Sequence, residues 1–482
     1  MNYGIVRRVL GSILLLEAMF MIPSLLISLY TKQTDTLGFF FTIIVTGLFG
    51  LILTKSNNER SQIHHKEGLA IVTFAWICVS LLGALPLYIS GSTATYIDAF
   101  FEIVSGFTTT GATVIPDIES LPMGILFWRS FTHWIGGMGI LVFTLALMPA
   151  LGIGGFKIYK AESPGPVAGK IAPRIKSSAK ILYVTYFFIT IVQVVLLKIG
   201  GMTLFESFVY TFGTVGTGGF STKNASVGAY SSTYLQVVIA TFMLISGVNF
   251  SLYYSLFKGR VKMIFKDEEL RLYLLIVGIA VASITLNLFW TSYSSLGLAL
   301  KDAYFQVASI MTTTGYSTVD FDLWHPFSKS ILFVLMIIGA SAGSTAGGMK
   351  VIRLLVIFKL IKREILKIFH PRAVIPIKIN GKVMANETIA GINSFTGLYM
   401  IIFFVSTILV SLEGVGLESA ITSVAATLGN IGPGLSFVGP TSTFNGYSQV
   451  AKLFFSLLML LGRLELFTMI ALFAPRNWRR EI

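Results

Sequence analysis

A chain of 482 residues that is 54% hydrophobic, only 12% charged and has a mean hydropathy of +0.79 cannot cover a water-facing surface with polar groups, which excludes a soluble globular protein. Its net charge of +14 is distributed over the links between apolar runs rather than gathered on one face, which argues against nucleic acid as a partner. A single cysteine, Cys78, lies within an apolar run, so a disulfide framework and a thiolate metal site are excluded as well.

The first predicted elements are a helical hairpin, residues 9–30 and 37–54, each long enough to span a bilayer. Arg7 and Arg8 precede it as they would a signal peptide. No small-residue cleavage site follows, so the first run is read as a retained helix. Later runs such as 181–199 and 232–257 are continuous, which predicts single helical spans and excludes a β-barrel. Basic residues alternate between links: Lys55, Arg60 and Lys66; Lys157 to Lys176; Lys258 to Lys266; Lys359 to Arg372; and Arg476, Arg479 and Arg480. By the positive-inside rule these links and both termini face the cytoplasm, and contact with bilayer headgroups explains the charge runs. The stretches 259–265 and 359–367 are equally readable as docking surfaces for a cytosolic partner.

After the hairpin (1–60), four units follow, at 61–152, 175–266, 267–370 and 390–482. Each is predicted to contain a span, a shorter outer helix, a polar glycine-rich stretch and a second span. The chain is therefore expected to be an all-α polytopic membrane protein with four pseudo-symmetric repeats around one central pore. The outer segments read YIDAFFEIVSGFTTTGATV, LFESFVYTFGTVGTGGFST, LKDAYFQVASIMTTTGYST and LESAITSVAATLGNIGPGL. Asp98, Glu206, Asp302 and Glu418 open them, and each acid is expected to cap a helix of about ten to twelve residues, too short to span. Gly111, Gly219 and Gly315 follow their acids by thirteen positions, whereas Gly432 follows by fourteen.

A short helix that stops within the membrane must be followed by irregular backbone, tolerated only in a protein interior or a wet cavity. Glycine admits positive φ there, threonine hydroxyls add acceptors, and the negative ends of the short helices point the same way. Four such strands around one axis would present carbonyl rings that replace the water shell of a cation. The expected filter residues are Thr109, Thr110, Gly111 and Ala112; Thr217, Gly218, Gly219 and Phe220; Thr313, Thr314, Gly315 and Tyr316; and Asn430, Ile431, Gly432 and Pro433. The alternative is four re-entrant loops that merely plug a helical bundle.

These segments, with HWIGGMG at 133–139 and GASAGSTAGGMK at 339–350, resemble the TrkH/TrkG/KtrB family of potassium transporters over the whole chain. The extra hairpin and the length favour the TrkH/TrkG branch. The resemblance implies K+ as the transported ion, held by Thr110, Gly111, Gly218, Gly219, Thr314, Gly315, Ile431 and Gly432. It also implies a homodimer, a TrkA-like cytosolic ring that binds nucleotides, and the bacterial cytoplasmic (inner) membrane, with no cofactor in this chain. Related plant transporters that carry sodium have serine at the first filter glycine, which here is Gly111. Asn430 and Pro433 make the fourth segment the most divergent, so a less regular wall and acceptance of rubidium are expected.

In the third unit, ten small residues from Gly339 to Gly348 interrupt the second span, too glycine-rich to stay helical. Gly339, Ser341, Gly343, Ser344, Thr345, Gly347, Gly348 and Lys350 are read as an intramembrane gating loop, with close helix packing as the alternative. Arg463 lies within the last apolar run near Glu465, either as a structural ion pair or as a positive barrier in the pore. His133 is read as a packing or hydrogen-bonding residue, His64, His65, His325 and His370 show no metal-ligand spacing, and GTVGTGG lacks the context of a phosphate loop. Potential-driven potassium uptake leads, proton- or sodium-coupled symport is the alternative within transport, and a membrane enzyme is disfavoured because no catalytic constellation is found.

Overall fold

The computed structural model describes residues 2–55, 65–139, 175–464 and 466–473. The basic link around Lys157 to Arg174, Arg60, His64, Glu465, the C-terminal arginines and the ends of the hairpin and of the first and fourth units lie outside those residues. Helix α1 (Tyr3–Thr31) starts where the Asn2 side chain accepts from the N–H groups of Gly4 and Ile5, and it ends at Lys32 with φ of 54°. It packs along α2 (Thr36–Thr54) at a glycine crossing: a Cβ on Gly11 would stand 2.6 Å from the Gly50 carbonyl oxygen. Close backbone approach of this kind replaces hydrophobic driving force where lipid is the solvent.

The first unit holds α3 (His65–Gly83), α4 (Leu85–Ile89), α5 (Tyr96–Phe107) and α6 (Met123–Gly137). The second holds α7 (Ile175–Ile199), α8 (Leu204–Val215), α9 (Thr233–Ser246), α10 (Phe250–Phe257) and α11 (Val261–Lys266). In the third come α12 (Glu268–Thr291), α13 (Leu296–Met311), α14 (Pro326–Ile338) and α15 (Val351–Phe369). A two-stranded hairpin of β1 (Lys378–Ile379) and β2 (Lys382–Val383) leads to the fourth, with α16 (Asn386–Ser411), α17 (Leu417–Leu428), α18 (Gln449–Arg463) and α19 (Leu466–Phe473).

Helices α5, α8 and α17 have 12 residues each, or about 18 Å, well short of a hydrocarbon core of about 30 Å. They are buried nearly all round: in α5 every residue from Phe101 to Phe107 is buried. A helix with no exposed face belongs in a protein core, and these short helices form it. The longer spans are buried to different extents, from 28% of the spanning window in α2 to 61% in the span that α3 begins.

Two expectations are corrected. The run 232–257 is not one span, because α9 and α10 meet at a bend of 94° across Gly247–Asn249. Asn249 caps α10 with its side chain and so starts a new helix within an unbroken apolar sequence. Nor are the four acids the caps. Thr95 and Thr203 are, accepting from the N–H of Asp98 and Glu206, and Glu206 completes a capping box. Asp302 lies well inside the 16-residue α13, where Tyr293 donates to it at 2.9 Å, and α17 starts at Gly416 without a side-chain cap. The signal for the two real caps, T-x-x-[DE], was readable in the sequence.

Candidate cation pathway

Each short helix ends four residues before its glycine, at Phe107, Val215, Met311 and Leu428. The one-residue discrepancy in the fourth unit therefore arises at the start of α17, not in the polar strand. After each helix the backbone makes the same excursion. Thr109, Thr217, Thr313 and Asn430 have φ of 55°, 57°, 56° and 54°, and Gly111, Gly219, Gly315 and Gly432 have 81°, 81°, 85° and 98°. Asn430 thus adopts the conformation of the three threonines, as asparagine does with little cost in the left-handed region. The fourth strand follows the other three, with its largest backbone departure the φ of 98° at Gly432.

The four strands close in cyclic order. A Cβ on Gly111 would fall well inside 3.0 Å of the Gly218 carbonyl oxygen, one on Gly219 would strike that of Thr314, and one on Gly315 that of Ile431. On Gly432 it would meet the Thr110 oxygen at 2.8 Å, so the seam between the fourth and first strands is the loosest. All eight residues read as cation ligands, Thr110, Gly111, Gly218, Gly219, Thr314, Gly315, Ile431 and Gly432, are brought together here. Main-chain oxygens dominate these seams, joined by the Pro433 ring beside Gly315 and by the Asn430 side-chain amide, which donates to Thr110 Oγ1 at 3.0 Å.

The outer loops repeat the cycle. Asn224 donates to Asp117 at 2.8 Å, joining the first and second, and this amide holds the Asp117 carboxyl below the usual carboxylate range. Gly228 N–H donates to Ser317 O at 3.0 Å, Ser436 N–H to Asp322 at 3.0 Å, and Phe444 N–H to Thr113 O at 2.8 Å, which closes the ring.

Side chains behind the strands brace them unequally. The residues after the four glycines are Ala112, Phe220, Tyr316 and Pro433. Tyr316 donates its hydroxyl to Phe220 O at 2.9 Å, and Phe220 N–H donates to His133 Nε2 at 3.2 Å. Phe220 is thus held by the first unit on one side and the third on the other. Behind it, Glu102 and Arg129 form a fully buried ion pair in which Glu102 also accepts from Thr113 Oγ1 and Val114 N–H. The Arg129 guanidinium lies 4.1 Å from the centroid of the Phe220 ring. A second buried pair, Lys452 and Asp98 at 2.7 Å, joins α18 to α5. The sequence reading missed Glu102 and Arg129, although ionisable residues inside predicted spans were the available signal.

Below the strands, 339–350 is non-helical, with φ of 59°, 70° and 67° at Gly339, Gly343 and Gly348. The segment touches the third strand directly: Gly347 N–H donates to Thr313 Oγ1 at 2.7 Å. Ser341 N–H bonds to Gly247 O, and Phe250 N–H to Gly343 O, so the bend between α9 and α10 seats it. Ser344 Oγ turns back to Ser341 O at 2.6 Å, and the Lys350 ammonium folds onto the carbonyls of Ala346 and Gly347. Arg463 is not deep in a continuous helix but at the C-terminal end of α18. Its guanidinium donates to Thr345 O at 2.8 Å, and to Gly136 O and Gly137 O at the end of α6. It bridges the loop and the first unit through main-chain carbonyls.

The family model described as TrkH, cation transport protein, matches residues 31–480. The chain is 39% identical to the Trk system potassium uptake protein TrkH of Escherichia coli K12, over 99% of this chain and all of that protein. It is 34% identical to the Trk system potassium uptake protein TrkG of the same organism, over 98% of each. The crystal structure of the potassium transporter TrkH from Vibrio parahaemolyticus matches with a TM-score of 0.89 and 35% identity, covering 99% of this chain and all of that one.

Proposed function

The chain belongs to the TrkH cation transport family, and from that premise we propose that it takes up K+ across a membrane through the ring of four strands. The observation that carries this reading is the cyclic contact of each filter glycine with the carbonyl before the next unit's glycine. Main-chain oxygens so arranged stand in for the hydration shell of a cation, and no chemical step is needed. A cation moving into a negative interior gains about 2.3 kcal/mol per 100 mV, so the membrane potential suffices as driving force. The four strands at 109–112, 217–220, 313–316 and 430–433 are the selectivity filter in this reading, within units near 61–152, 175–266, 267–370 and 390–482.

The loop 339–350 is the gate of this pathway, and Arg463 is its latch as well as a positive charge beneath the filter. A cytoplasmic location of both termini, a homodimer, a nucleotide-binding cytosolic ring and rubidium as a second permeant ion complete the proposal, in a bacterial inner membrane. Uptake of radiolabelled rubidium into liposomes under an imposed K+ diffusion potential tests it. Uptake that follows the potential and is indifferent to a proton gradient supports the channel-like reading. Uptake that requires the proton gradient refutes it in favour of symport.

A further inference from the structure

Glu269 is the second residue of α12 and is buried, yet nothing in the sequence marked it. Its Oε1 accepts from Ala342 N–H at 2.7 Å and from Ile352 N–H at 3.2 Å. Ala342 lies near the start of the glycine-rich loop and Ile352 just past its end, in the first turn of α15. One carboxylate oxygen therefore draws the two flanks of the loop together. Val351 N–H, which donates to Ala340 O at 3.0 Å, closes the same neck.

The residues beside Glu269 are tied in the opposite direction. Glu268 and Asp267 grip the turn of the β1–β2 hairpin. Asn380 N–H donates to Glu268 Oε1 at 3.0 Å, Glu268 N–H to Asn380 Oδ1 at 2.9 Å, and Asn380 Nδ2 to Asp267 Oδ2 at 2.8 Å. Asn380 and Gly381 have φ of 49° and 78°, the left-handed pair that a tight Asn-Gly hairpin requires. Lys359 of α15 adds an ion pair to Glu268 and a bond to Lys378 O at 2.6 Å. Three consecutive acidic residues thus join a surface hairpin on one side to the neck of the buried loop on the other.

We propose that Glu269 is a positioning residue that holds the loop 339–350 in its pathway-blocking arch, and that the hairpin around Asn380 is the handle through which movement at the surface releases it. This rests on the reading of 339–350 as the gate. A single acceptor oxygen serving both flanks concentrates the arch's stability in one side chain. A displacement of the α12 N-terminus that breaks both bonds would free the neck without touching the filter.

The test is rubidium flux into liposomes for wild type, Glu269→Ala, Glu269→Gln, Asn380→Ala and a deletion of 343–348, with the K+/Na+ ratio measured in parallel. Glu269→Ala is expected to raise flux about tenfold with the ion ratio unchanged. Glu269→Gln, whose amide oxygen can still accept both bonds, is expected to restore most of the difference, which a purely structural role for the charge would not. Asn380→Ala is expected to fall between wild type and Glu269→Ala. If Glu269→Ala does not fold, Glu269→Asp, shorter by one methylene and unable to reach both N–H groups, takes its place. Wild-type flux in the Glu269 variants alongside raised flux in the deletion overturns the inference and leaves the gate standing. Wild-type flux in the deletion overturns the gate itself. Wild-type flux in Asn380→Ala removes the hairpin from the proposal.

Discussion

Replacing Gly111 with serine places a side chain where two walls of the pathway meet. Its φ of 81° costs an L-residue about 1–2 kcal/mol before any contact is counted. The new Cβ would also lie well inside 3.0 Å of Gly218 O and 3.1 Å from Gly218 C, neither of which is the movable end of a side chain. To reach ordinary contact the second strand must retreat by more than an ångström, a displacement of the carbonyl cage itself. A change of about 1.4 kcal/mol in relative ion stabilisation is a factor of ten, so Gly111→Ser is expected to lower the K+/Na+ uptake ratio at least about tenfold. Paired uptake of labelled rubidium and sodium into liposomes measures it. Gly91→Ala is the control, since Gly91 has φ of 73° with nothing within 4 Å and carries the backbone strain alone. Gly432→Ser, facing a carbonyl at 2.8 Å, is expected to do less harm than Gly111→Ser. A monodisperse Gly111→Ser protein with the wild-type ion ratio would refute the reasoning.

Arg463→Ala removes three bonds to main-chain oxygens and is expected to increase flux. Arg463→Lys, which keeps the charge but not the planar fork, should behave more like alanine than wild type if the residue is a latch; single-channel or liposome flux distinguishes the two. Tyr316→Phe deletes the donor to Phe220 O, leaves a buried carbonyl short of a partner, and is expected to cost about 1–2 kcal/mol, read as a lower midpoint in a thermal scan together with a reduced K+/Na+ ratio. Arg129→Met strands a buried carboxylate and is expected to destabilise by about 3–5 kcal/mol. The double variant with Glu102→Gln should recover much of it, and equal loss in both would show that the pair itself is not what matters.

Much of the architecture is legible in order along the chain. The spans follow from apolar run length, and the repeated acid, short helix and glycine announce four related units before any contact is known. Gly111, Gly219, Gly315 and Gly432 stand out because positive φ after a short buried helix demands them. The errors fall where local pattern and packing disagree. An apolar run across Gly247–Asn249 carries no periodic signal of a 94° bend, at which Asn249 caps a new helix and the loop 339–350 is hydrogen-bonded. Two residues apart, Arg463 and Glu465 cannot share a helix face, so a more distant partner for Arg463 is expected, but not which one; carbonyl partners 118 and 327 positions away are supplied by packing.

The sequence by itself determined the medium, most of the helices, the fourfold repetition and the positive φ at each of the four glycines, because all of these depend on side-chain type and spacing within a few turns. Only the tertiary structure decided that the four strands meet in cyclic order, that Phe220 is clamped between His133 and Tyr316, and that one carboxylate at Glu269 ties the loop at both ends. Those are contacts between segments brought together by burial of the short helices, and the acceptor a buried N–H finds depends on which neighbour the packing delivers.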